Sequence, residues 1–108
     1  MANELARNER REELHEIFKT ILGSSNVYFQ PPNNLKLNYP CIVYNRARAS
    51  SEFADNSTYR YVKQYDVTVI DQDPNSVIPD KVAHLPMTSH DRWFAVDNLN
   101  HDVFSLYF

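Results

Sequence analysis

From Tyr59 to Gln72 the chain alternates with a period of two. Tyr59, Tyr61, Lys63, Tyr65, Val67 and Val69 fall on one face, and Arg60, Val62, Gln64, Asp66, Thr68 and Ile70 on the other. Alternation rich in Tyr, Val and Thr predicts a β-strand with one better-buried face. Strands average about 5–6 residues, so one of this length is expected to outrun its sheet and end in a protruding arm. Upstream, Leu14, Ile17, Phe18, Ile21 and Leu22 repeat at helical spacing, and Gly23 stands where a left-handed cap is wanted. Residues 1–13 hold strong helix formers and both signs of charge without an apolar stripe, which predicts a polar extension of that helix.

The middle of the chain reads as connector, strand and loop. Val27 to Phe29 is a short strand candidate, followed by the turn-forming Gln30-Pro31-Pro32-Asn33-Asn34. Cys41 to Arg46 is apolar on both faces and predicts a central strand. Residues 47–58 are small, polar and unpatterned, and predict a long flexible hairpin loop turning at Asp55-Asn56. After the long strand, Asp73-Pro74-Asn75-Ser76 makes a turn with Ser76 as N-cap. Ile78, Val82 and Leu85 then share one helical face, Pro79 falls in the first turn, and Pro86 stops the helix. The remainder predicts a hairpin, Arg92–Val96 against Asp102–Phe108, around a turn at 97–100. Antiparallel hairpins with helices on one face define a single α+β domain over residues 1–108.

Composition narrows the chemistry. The single glycine, Gly23, excludes phosphate-cradling loops, dinucleotide fingerprints and a nucleophile elbow, each of which needs several. A net charge of −3 leaves no surplus of Lys and Arg for coating nucleic acid. One cysteine, Cys41, rules out an internal disulfide and suits a reducing compartment. No apolar run approaches the roughly 20 residues of a membrane helix, and the polar start carries no secretory signal. The expectation is a soluble chain made in a cytoplasm, without a membrane partner.

Catalysis and metal binding find little support. His15, His84, His90 and His101 share no metal-binding spacing. Asp71 with Asp73 and Asp97 with Asp102 bracket turns, where Asp is expected for local backbone hydrogen bonding. Cys41 lacks an adjacent base or helix N-terminus and reads as a packed core residue. The expectation is a non-enzyme without cofactor or metal. The run Tyr59-Arg60-Tyr61-Val62-Lys63 mixes aromatic and basic side chains, which suits a protein–protein edge or a single-stranded nucleic-acid platform. The acidic balance favours the protein edge.

The segments YPCIVY, ADN, YxVTVIDxDPxSxIPDKVxxLP and DRxFxxDNLNHxxFxLYF, spread over Tyr39 to Phe108, resemble the tail terminator (tail completion) proteins of long-tailed bacteriophages and related prophages. The resemblance implies a mostly antiparallel mixed sheet of four to five strands, with the N-terminal helix and the second short helix on one face. It implies a structural virion protein of the neck, assembled in host cytoplasm as a ring, with a hexamer expected. The ring caps the head-proximal end of the tail tube, ends its polymerisation and joins a head-completion (stopper) protein. Genomic DNA passes through the lumen without specific binding. Under this reading Tyr59, Arg60, Tyr61, Lys63, Arg7 and Arg11 contribute to the ring interface. Ser50, Ser51, Glu52, Phe53, Asp55 and Asn56 form the tube-contact loop. The alternatives are a head-side connector or stopper ring, and a single-stranded nucleic-acid-binding module.

Overall fold

In the computed structural model the backbone is described for residues 2–54 and 57–108, and the side chains for residues 10–48 and 62–108. The elements run α1 (Ala2–Leu22), β1 (Val27–Phe29), β2 (Cys41–Ala54), β3 (Ser57–Asp71), α2 (Ile78–Ala83), β4 (Thr88–Val96) and β5 (Leu99–Tyr107). They form one five-stranded sheet in the order β1-β2-β3-β5-β4. β1 pairs parallel with β2, and the other three pairings are antiparallel. The fold is therefore α+β with a mixed, mostly antiparallel sheet.

The core forms where the alternating faces of the sheet meet the apolar stripe of α1. Ile42, Tyr44, Val67, Val69, Phe104 and Leu106 are buried with Leu14 and Phe18 of α1 and Val82 of α2. Tyr65 closes this layer, with its ring centroid 5.9 Å from that of Tyr44. Each such side chain, fully withdrawn from water, stabilises by about 1.5–3 kcal/mol. α1 ends as its sequence predicts: Gly23 takes φ 79°, and its amide donates to the Lys19 carbonyl at 2.8 Å. A residue with a side chain would strain there.

Four local expectations need correcting. Residues 47–54 and 57–58 are strand and not loop, because β2 continues to Ala54 and β3 begins at Ser57. Asp55 and Asn56, the expected turn, lie outside the described residues. Helix α2 starts at Ile78 with Val77 at the N-cap position; Ser76 instead accepts the Ile78 amide through Oγ at 3.2 Å. Finally, the last hairpin is longer than Arg92–Val96 against Asp102–Phe108 and its turn is tighter than 97–100. Asp97 and Asn98 alone turn the chain, at φ 55° and 63°, and Val96 faces Leu99 directly. Two consecutive left-handed residues are the type I′ geometry, whose twist matches a two-residue hairpin.

Candidate assembly interface

β3 is flanked by β5 only from Gln64 to Asp71. The Phe108 amide adds one further rung to the Lys63 carbonyl, at 3.0 Å. Beyond it, β2 and β3 pair only with each other, through Ala49↔Lys63, Ser50↔Val62, Ser51↔Tyr61, Glu52↔Arg60, Phe53↔Thr58 and Ala54↔Ser57. At about 3.3 Å per residue this two-stranded arm is about 20 Å long. The molecule is elongated, 51 Å against 24 Å in both other directions.

The arm's root is shaped by the chain on both sides. Arg46 pairs with Tyr65 and Arg48 with Gln64, so Ala47 is an extra residue without a partner. Such a bulge bends the strand and tightens its twist, here at the level where β5 ends. On the outer edge of β2, Gln30 terminates β1. Its amide donates to the Tyr44 carbonyl at 3.0 Å, while its side-chain Oε1 accepts the Arg46 amide at 3.1 Å. At φ 45° Gln30 then turns the chain into Pro31, which has no amide to offer. β1 therefore stops at the root and leaves the arm to β2 and β3.

Helix α1 braces the same place from inside the subunit. Arg10 donates through Nε and Nη2 to the Phe108 main-chain oxygen at 3.3 and 3.2 Å, with its guanidinium 4.7 Å from the Phe108 ring centre. Arg11 donates to the Tyr44 hydroxyl at 3.3 Å and stacks 4.6 Å from the centre of the Phe29 ring. The Tyr44 oxygen lies 2.8 Å from His15 Nδ1. Because Arg11 can only donate, the Tyr44 hydrogen is best satisfied by passing to His15, which then accepts as a neutral ring. Burial, with the Arg11 and Lys19 charges behind it, lowers the His15 pKa. Burial likewise raises that of Tyr44. An apolar cleft of about 340 Å³ lies beside this brace, between Leu14 and Ile17 of α1, Val62 of β3 and Leu106 near the end of β5.

The residues expected at an interface thus divide. Tyr59, Arg60 and Tyr61 have their backbone on the arm, and Lys63 sits at its root. Ser50, Ser51, Glu52 and Phe53 are on the arm too, as strand and not as loop. The side chains at 50–53 and 59–61, and that of Arg7, lie outside the described residues. Arg11 lies in the subunit's own brace, in contact with Tyr44 and Phe29. Sequence reasoning missed Ala47, Gln30 and Arg10, whose roles depend on partners distant in the chain.

Other chemistry is sparse. Among the described residues no three His, Cys, Asp or Glu side chains converge as a metal site. Cys41 is fully buried, and burial pushes its thiol up to about 12, far from a reactive thiolate. His90 Nε2 lies 3.0 Å from Asp102 Oδ1, a pair on the exposed surface. No helix among the described residues is long and apolar enough to cross a membrane. Comparison of the chain with protein-family models, curated proteins and solved structures returned no match.

Proposed function

We propose that this chain is a tail terminator subunit: a ring-forming virion protein that caps the head-proximal end of the phage tail tube. The observation that supports this reading is the two-stranded arm. An isolated ribbon is marginally stable in water, and each of its edges carries a row of unpaired amides and carbonyls. Such an arm is stabilised when a partner covers it. A chain that is otherwise a plain α+β domain, with the cysteine inert, has its most distinctive feature in a device for assembly.

The resemblance over Tyr39 to Phe108 specifies the assembly. In this reading Tyr59, Arg60, Tyr61 and Lys63 meet a neighbouring subunit, and the 50–56 segment meets the tail tube protein. The opposite face of the ring receives the head-completion protein. A net charge of −3 suits a lumen through which DNA slides without being held.

The test is complementation of a phage or prophage lacking the gene. In the variant, residues 50–62 are replaced by Asn-Gly, a two-residue turn that closes the hairpin between Ala49 and Lys63. The intact chain is expected to give tails of normal length with a ring on the head-proximal end, even when heads are absent. The shortened variant is expected to give overlong or headless tails. Normal virions from it would overturn the role of the arm. A ring found on heads and never on free tails would replace the terminator reading with a head-side stopper.

A further inference from the structure

The apolar cleft of about 340 Å³ is built from three parts of the fold. Leu14 and Ile17 line it from α1, Val62 and Leu106 from the sheet, and Met87 from the segment that joins α2 to β4. That segment is fixed by its backbone. Met87 takes φ 59°, and its carbonyl accepts the Tyr107 amide at 3.0 Å. The wall also contains Arg10, which is the only charged residue among the described residues lining the cleft.

Wall chemistry and size indicate the guest. An apolar wall gives water few hydrogen bonds, so a hydrocarbon that displaces it gains affinity. A cavity of about 150 Å³ holds benzene, so a cleft of 340 Å³ takes a chain of about eight carbons. The unbranched Met87 adapts its shape, which suits a flexible chain. Charge supplies the head group. Arg10 spends Nε and Nη2 on the Phe108 main-chain oxygen, and neither bond uses Nη1. A guanidinium donates only and stays charged, so its complement is an anion that accepts, with carboxylate the best geometric match.

We infer that this cleft binds a medium-chain aliphatic carboxylate, with the chain between α1 and the sheet and the carboxylate on Arg10. The site goes beyond assembly, and it stands or falls independently of the ring reading.

The experiment titrates sodium octanoate, and separately the neutral 1-octanol, into the full chain while amide nitrogen–proton correlation spectra are recorded. Saturable shifts at Leu14, Ile17 and Leu106 are expected with both probes. Arg10→Gln should weaken octanoate roughly tenfold and leave 1-octanol within about twofold, because only the charge-assisted hydrogen bond is lost. The unchanged octanol affinity also shows that the cleft keeps its shape in that variant. Ile17→Phe fills the cleft and should abolish both; if it does not fold, Met87→Phe, at a position 54% exposed, serves instead. Octanoate affinity that Arg10→Gln leaves unchanged, or lowers no more than that of octanol, would overturn the role of the charge and with it the carboxylate. Binding that survives the filled cleft, or shifts that never saturate, would overturn the site. So would the lack of any shift up to the solubility of octanoate.

Discussion

The Phe108 amide and the Lys63 carbonyl, 3.0 Å apart, form the rung at which the five-stranded sheet ends and the arm begins. On the Gln64 side of that rung β3 has neighbours on both edges, and on the Tyr61 side it has β2 alone. Substitutions on the two sides should therefore behave differently. Val67→Asp places an unpaired charge in a fully buried site and should destabilise by about 4 kcal/mol or more, enough to unfold a domain of this size. Tyr61→Asp should change stability by less than about 1 kcal/mol and abolish assembly. Urea denaturation and sedimentation of the two variants check the contrast.

Tyr44 ties α1 to the sheet through its hydroxyl. Tyr44→Phe removes the acceptor for Arg11 and the donor for His15 while keeping the ring that packs on Phe18. Loss of about 1–3 kcal/mol is expected from the two polar groups left without it. A lower urea midpoint with an unchanged slope would match. A wild-type midpoint would show that water replaces the hydroxyl at no cost.

The depressed pKa of His15 predicts a stability loss on the acid side. Burial, with the Arg11 and Lys19 charges nearby, makes the folded state resist protonating this ring, whereas the unfolded chain protonates at the ordinary value near 6.5. Below that value the unfolded state binds more protons, so stability falls as pH drops from about 7 towards the folded pKa and then levels. His15→Gln should flatten this part of the profile. Chemical denaturation between pH 7 and about 5, run on both proteins, measures the difference.

Cys41 should be silent to thiol reagents in the native protein. It is fully buried and its thiol is held up at about 12, so neither access nor thiolate is available. A chromogenic disulfide reagent is expected to react at the rate of global unfolding, and fully once denaturant is added. Rapid native labelling would show that β2 opens locally at its start.

At the Asp97-Asn98 turn both residues hold positive φ. Asn98→Ala should cost about 1–2 kcal/mol, because a Cβ without a compensating local hydrogen bond disfavours the left-handed region. Thermal unfolding would show the drop. An unchanged midpoint would mean that the turn relaxes to another type.

Much of the fold was legible because a buried face imposes its period on the sequence. Tyr65, Val67 and Val69 alternate since each joins the buried layer between sheet and helices, and Leu14 and Phe18 repeat at helical spacing for the same reason. Residues 49–54 carry no such pattern, and strand structure there comes from pairing across the hairpin. Thr88 to His90 escaped notice for a related reason, being polar residues on an edge strand. The brace was illegible in principle: Arg11 and Tyr44 are 33 residues apart, and nothing local marks them as partners. The candidate interface was legible in outline, since an alternating run too long for one sheet announces an overhang. The residues that end the sheet, Ala47 and Gln30, emerged only from the register.

The arm is the continuation of β3, which crosses the body to Asp71 beside β5 over eight paired positions. A pull on the arm therefore acts along the strand and loads all those rungs together in shear, instead of peeling them one at a time. For a subunit gripped by its arm, the grip and the central strand of the sheet are one strand, so tension is carried directly into the core.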